Sequence, residues 1–520
     1  MKTHVWLLAL TVMAGAVCAV DLDPLQMKFH RQAARRFMFS QEIKLGELVP
    51  GEILALDAMH PPGAKTCQIK DGKLIISAGD SALTVSGVNP FATHFIDIDT
   101  LPAGAEIAAE FADIERGNGV AVAVSASAAP VLRVFKNGAL AREQTLEGAP
   151  APAAPFTLVV QLYGVSVGVF AVKDGQTVSL GALPAKENFA ADVDFRRRAV
   201  FLNSTFNLTA KVPGGASVIV SRARAVLSSG IGQADIRAIT RADGEPFIEN
   251  NRLWFTFSCR GLGTADACQG VMSLDPSVFD PRFEGVIVFD RGDGVLRNDY
   301  AAHLFYDDNA REWRAFVSCF SVDPRGRGET GLAVARSTRD PRRGFSVMEE
   351  KQLTAQQLQI PLRHEDPSVL FDADADKWRL LTCAFEKEGL RAMLFESDNW
   401  DGPYRKISGP VPHDSTGTQI QKIGNRRYVF SGAKTVPGED KRGGILIYTY
   451  PDLNYLGELK SDLPSTLKGG RVWPNIFRLP PGYPAEYMAL QMDRMNFPGV
   501  KMQNWSYGAL YLFWANTGTD

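Results

Sequence analysis

LRNDYAAHLFYDDNAREWRAFVSC (residues 296–319) and LRHEDPSVLFDADADKWRLLTC (residues 362–383) can be laid over each other. Each runs from a polar, acid-bearing segment into a short apolar strand, then a turn rich in Asp or Asn, then a second strand that carries Trp and ends in Cys. Weaker copies flank them: DGEPFIENNRLWFTFSC (243–259) before, TGTQIQKIGNRRYVFSG (416–432) and VWPNIFRLPPGYPAEYMAL (472–490) after. Aligned on Pro246, Ala301, Pro367, Thr418 and Pro474, the copies recur roughly every 57 residues, a period that with several short strands per unit marks β-propeller blades. Five such units fill residues 228–520, which predicts a five-bladed propeller.

The rest of the chain reads differently. Residues 1–19 have the form of a secretory signal peptide: Lys2 and His4, an apolar run from Val5 to Val17, and small residues up to Ala19. That run is too short to span a bilayer, and Val17 and Gly15 fit a lipobox poorly ahead of Cys18. Residues 20–48, with HRQAARRFMF, read as a basic amphipathic lead-in, expected to be a helix on a domain surface. Residues 49–227 alternate apolar and polar, as in FTLVVQLYGVSVGVFAV (156–172), with turn signals at Asp71-Gly72, Asn137-Gly138 and Asp174-Gly175. They predict a jelly-roll-like β-sandwich, so the class is all-β with an N-terminal sandwich followed by the propeller. The chain of 520 residues is long enough for both cores.

Charge excludes some partners. Lys plus Arg total 56 against 58 Asp plus Glu, a net of −2 that offers no bulk attraction to nucleic acid or anionic membrane. Beyond the leader there is no apolar run long enough for a membrane span. Of Cys67, Cys259, Cys268, Cys319 and Cys383, an odd number for an exported chain, Cys259, Cys319 and Cys383 recur at the end of a strand in successive blades and read as small buried hydrophobes rather than metal ligands, while Cys259 and Cys268 are spaced to bridge a hairpin. Neither a CxxC pair nor HExxH is present, so no structural zinc site is expected; no other metal and no cofactor is predicted. Apart from Trp6 in the leader, every tryptophan lies in the propeller. Trp254, Trp313 and Trp378 recur with the repeat and read as core, while Trp473 and Trp505 are placed to line a pocket.

In a propeller the first residues of the inner strands cluster at one mouth of the central channel, although they lie far apart in the chain. The repeat therefore gathers Asp235, Asp243, Glu245, Asp299, Glu365, Asp366 and Asp414, together with Arg471 and Trp473. Carboxylates sharing one pocket raise one another's pKa. A protonated acid beside an ionised carboxylate is the equipment for cleaving a glycosidic bond. Asp299 and Glu365, in matching Arg-polar-acid frames, are the leading pair. Arg237, Arg297 and Arg363 either neutralise these acids or bind the carboxylate of an acidic sugar, with His364 and His303 as further donors or as an alternative acid.

Five blades, HEDPSVLFD (364–372) opening one of them, and acids at the inner strands resemble the five-bladed propeller glycoside hydrolases, the group that includes families 43, 32, 117 and 130. The resemblance covers residues 230–520. In family 43 a base Asp opens blade one, the Asp of a DPS-like motif tunes pKa, and a Glu in a later blade is the acid. The resemblance thus implies pKa tuning for Asp366 and places Glu245, a Glu rather than an Asp, at the base position. Blade four departs from the pattern, since STGTQI (415–420) carries no acid, and the NDPNG motif of family 32 is missing. Some relatives hold a channel calcium, for which no ligand set shows here. With the leader implying export, the resemblance implies a hydrolase acting in an exo fashion on a plant or algal oligo- or polysaccharide. A polysaccharide lyase and a non-catalytic glycan-binding propeller remain as alternatives.

Overall fold

Left-handed residue pairs set the hairpins of the first half. Asp71 and Gly72, Asn137 and Gly138, and Asp174 and Gly175 all have positive φ, between 51° and 77°, the type I′ geometry whose twist matches that of the strands it joins. The computed structural model describes residues 22–516, apart from 62–65, 127, 184–186, 261–266, 323–327, 361, 388, 435, 439–442, 463–471 and 495–506. The leader with Cys18, Arg471 and Trp505 lie outside the described residues. Among those described, the chain is all-β, with two short α-helical turns, and no helix is long and apolar enough to cross a membrane.

A six-stranded and an eight-stranded sheet face each other in the sandwich, around a core that includes Leu83, Ile96, Phe111, Val122, Leu158 and Phe206. Its last strand, Val218–Ser228, leads directly into Gly232–Ala238, the inner strand of blade one. The inner strands of the next four blades are Tyr300–Asp307, His364–Asp372, Thr416–Ile423 and Ile476–Arg478, and successive ones lie side by side. Blade one thus begins earlier than an alignment on Pro246 places it. Pro246 belongs to the hairpin that follows the inner strand, where Thr240 bridges Pro246.

Five apolar cores separate five pairs of neighbouring blades, as a closed ring requires. Trp254 and Trp313 are buried between blades one and two, Trp378 between two and three, and Leu370, Leu394 and Leu446 between three and four. Trp473, Phe477 and Phe255 fill the seam between blades five and one. The seam between four and five contains Phe430, Ile476, Phe513 and, from the far end of the chain, Phe29.

The lead-in is where expectation and structure part. Residues 20–48 do not form a surface helix. Lys28–Arg35 is a strand antiparallel to Tyr507–Ala515 and completes blade five, while Glu42–Leu48 joins the sandwich beside Val218–Ser228. Only Phe29 of the closing strand is well buried, so its sequence lacks the alternation that marks a half-buried strand. Blades one and two are also fused, because their outer strands Arg282–Asp290 and Gly344–Gln352 pair in parallel.

Phe29 is 1% exposed, so Phe29→Ala is expected to lower unfolding free energy by about 3–5 kcal/mol. Residues 228–520 expressed alone are expected to lack the cooperative unfolding transition of the full chain. Urea unfolding followed by tryptophan fluorescence measures both, since every described tryptophan lies in the propeller.

Candidate functional site

A bulge repeated in four blades shapes the upper face, where the inner strands begin. Asp235, Ala301, Asp366 and Gly417 each adopt a left-handed backbone, with φ between 51° and 58°. In each case the pairing with the second strand slips at that place. An extra residue in one strand bends it and re-aims its side chains. Gly417 has a second reason for its identity, because a Cβ there would lie 2.5 Å from the Trp473 ring.

Two of the four bulge residues are aspartates, and they face one guanidinium. Arg237 Nη1 donates to the Thr418 carbonyl at 2.9 Å, and its guanidinium carbon sits 5.7 Å from the Trp473 ring centre. Asp235 accepts from Ser258 Oγ at 2.7 Å. Asp366 accepts from Thr416 Oγ1 and from the Gly417 amide, both at 2.9 Å, while its own amide donates to Ser318 Oγ. Burial, and then the charge of Asp235, push the Asp366 carboxyl up, against the pull of the Gly417 amide and Arg237. Burial lowers Arg237 to about 10. The upper end of the channel therefore holds two carboxylates and one cation in a low-dielectric ring.

Ser258 and Ser318 are not among the sequence candidates, yet a signal for them exists. The second strands end FTFSC, AFVSC, LLTC and VFSG, so Ser258, Ser318, Thr382 and Ser431 recur one residue before each Cys or Gly. Three of these hydroxyls hold the first residues of an inner strand: Ser258 holds Asp235, Ser318 the Asp366 amide, and Thr382 the Nδ1 of His364 at 2.8 Å.

Asp299 belongs to a different group. It is fully buried, accepting from the Ser321 amide at 2.8 Å and from Arg291 Nη2 at 3.2 Å. Arg291 also binds Glu350 at 2.9 Å and donates to Cys319 Sγ. Asp299, Cys319 and Glu350 offer ligand atoms within 4.8 Å of one another, but Arg291 already donates to all three, so a cation fills the place that a metal would need. Burial and the Asp299 charge outweigh Arg291 and push Glu350 up to about 8. Sequence reasoning missed Arg291 and Glu350, which lie outside the repeated stretch 296–319.

The remaining candidates scatter. Glu365 is half-buried beside Asp366, directly opposite Cys383. Arg363 is half-buried, with its guanidinium 5.2 Å from the Phe385 ring centre. Asp414 accepts from the Lys434 amide at 3.0 Å. His364 is buried against Phe395 and lowered to about 4 by burial, and His303 is a core residue bonded to Thr240 and the Val369 amide. Arg297 is committed to Asp293 by two bonds of 2.8 and 2.7 Å. Trp473 is buried as an interblade wedge, its indole NH donating to the Ile236 carbonyl, rather than lining an open pocket.

Asp243 and Glu245 lie at the opposite end of the channel. Both are exposed, on a hairpin that runs beneath blades two and three. Thr240 and Arg241 pair in parallel with Phe305 and Tyr306, and the Ala242 carbonyl accepts from the Phe371 amide. A cavity of about 460 Å³ opens on that lower face between Arg241, Asp243, Asp308, Trp378 and Trp400. The pair of bulge aspartates does not reach it.

No protein-family model matches the chain, and no curated protein does. Solved structures that resemble it include an endo-1,4-beta-xylanase from Bacteroides thetaiotaomicron, 14% identical over 54% of this chain and 89% of that one, with a TM-score of 0.34. An exo-beta-1,3-galactanase from Clostridium thermocellum is 11% identical over 54% of this chain and 62% of its own, with a TM-score of 0.37. A family 117 glycoside hydrolase from Zobellia galactanivorans is 12% identical over 56% and 86%, also at 0.37. The propeller stands on the strand pairing of the chain itself rather than on likenesses this low.

Glu350 supplies a pH test of the buried group. Its folded value of about 8 exceeds the ordinary 4.5, so the native state binds its proton more tightly than the unfolded chain. The stability this contributes is fully present below the unfolded value and is lost as pH rises toward the folded one. Glu350→Gln, which keeps the neutral shape, is expected to match wild type at about pH 4 and to be the more stable protein above about pH 8, as read from urea midpoints across that range.

Proposed function

We propose that the protein is an exported glycoside hydrolase that cleaves a plant or algal oligo- or polysaccharide at the upper mouth of the propeller. The observation that carries this reading is the pair of aspartates at equivalent bulges, Asp235 and Asp366, gathered around one buried arginine, where burial and then the charge of Asp235 raise the pKa of Asp366. Glu365, next to Asp366 and half-buried, is the carboxyl of the group with access to solvent. Glu365 then protonates the leaving oxygen and Asp235 serves as base or nucleophile at the anomeric carbon, with Asp366 buried behind them. The variant of this reading with an acidic sugar loses the support of Arg237 and Arg297, which are bound to Thr418 and Asp293.

One observation favours a non-catalytic glycan-binding propeller instead. Asp235 and Asp366 are only 6% and 4% exposed, and each is hydrogen-bonded, as structural carboxylates are.

Turnover on a panel of plant and algal glycans separates the two. Asp235→Asn and Glu365→Gln are each expected to lower kcat by roughly 10²–10⁴-fold with binding retained, while Asp299→Asn leaves kcat within a few-fold. Release of no reducing sugar by the wild type, with affinity for a glycan intact, would establish the binder. A product absorbing as a new double bond would establish a lyase.

A further inference from the structure

Cys259 and Cys268 are the one cysteine pair brought together among the described residues. They are directly opposed on the second and third strands of blade one, Arg252–Arg260 and Cys268–Leu274. Opposed residues of an antiparallel pair put their side chains on the same face with Cα atoms about 4.5–5.5 Å apart. That falls inside the roughly 4.4–6.8 Å which a disulfide spans. Both cysteines are buried, at 2% and 6% exposed, and the two thiols are within hydrogen-bonding reach.

The neighbouring positions leave room for the sulfur. Gly270 follows Cys268 on the same face, and a Cβ there would sit 2.4 Å from Cys259 Sγ. Glycine at 270 is what lets the Cys259 thiol lie between the two strands beside Cys268. The other three cysteines have different surroundings: Cys319 lies beside Arg291, Cys383 beside Thr418, and Cys67 in the sandwich.

We propose that Cys259 and Cys268 are joined by a disulfide in the mature protein, fixing the two middle strands of blade one to each other at the upper face. The bond forms while the hairpin is still open to solvent, because burial afterwards keeps the Cys259 thiol protonated. The Cys259 thiolate attacks the disulfide of a thiol–disulfide oxidoreductase, giving a mixed disulfide. The Cys268 thiolate then displaces the carrier, so that one S–S bond forms in the protein as the carrier's own S–S bond is broken, and the two protons given up by the cysteines leave with the two electrons on the carrier as its dithiol. Formation in the cell rests on the export reading of residues 1–19, since such bonds persist in oxidising compartments.

The test uses the full mature chain, unfolded and reduced, then refolded in a mixture of reduced and oxidised glutathione. It is then alkylated under denaturing conditions without reductant and digested for mass spectrometry. The expected result is a linked pair of peptides containing Cys259 and Cys268, two hydrogens lighter than the free pair, with Cys67, Cys319 and Cys383 alkylated. Alkylation of all five cysteines, or a link from Cys259 or Cys268 to any other cysteine, overturns the proposal. Reductant is further expected to lower the Tm of the oxidised wild type and to leave that of C259A/C268A unchanged; equal shifts in both overturn it. The same mapping on protein secreted by a bacterial host, with N-terminal sequencing, reports separately on the leader.

Discussion

The strand that the rest of the propeller depends on comes from the start of the chain. Each blade buries its two faces only against its neighbours, so an open ring would leave two apolar faces bare. Lys28–Arg35 closes the ring by pairing with Tyr507–Ala515 and inserting Phe29 into the seam between blades four and five. The sandwich is therefore not an appendage ahead of the propeller. It is threaded between the closing strand and blade one, and the seam ties both ends of the chain together.

This threading explains why the sandwich is docked so tightly. Arg196, fully buried, is held by Asp194 through two bonds and donates to the Val322 carbonyl in blade two. The Arg198 amide donates to Gly294, and Leu296 donates back to Arg196. The sandwich thus grips the segment that leads into Asp299 and the one that follows Ser321, the two sides of the Arg291 group. A rigid wall behind blade two follows from these contacts, and with it a fixed frame for the upper mouth.

Much of the architecture is legible in the chain because the interblade cores demand it. The apolar strands must recur wherever a blade repeats, with Trp and Cys marking three of the five, and together they set the count. The closing strand is not legible, since KFHRQAAR faces solvent along most of its length and buries only one large residue. A strand with so few buried positions, flanked on its outer side only by Lys460–Ser461, carries charge where an inner strand carries valine, and charge in that spacing reads equally well as a helix.

The candidate pair Asp299 and Glu365 shows how one residue decides a site. Both fall in an Arg-polar-acid frame, but the bulge that defines equivalence is at Ala301 in blade two and at Asp366 in blade three. Asp299 lies two residues before its bulge and Glu365 one, so the true counterpart of Asp299 is His364. Side chains alternate faces along a strand, and a slip of one residue sends a side chain to the other face. The structure agrees: Asp299 and His364 both turn inward, to Arg291 and to Thr382, whereas Glu365 is half-buried. Asp235, which a blade-one alignment on Pro246 displaces from the equivalent slot, is the residue that shares a bulge with Asp366. An acid in the right motif is only a candidate; the backbone conformation at the bulge selects which acids meet.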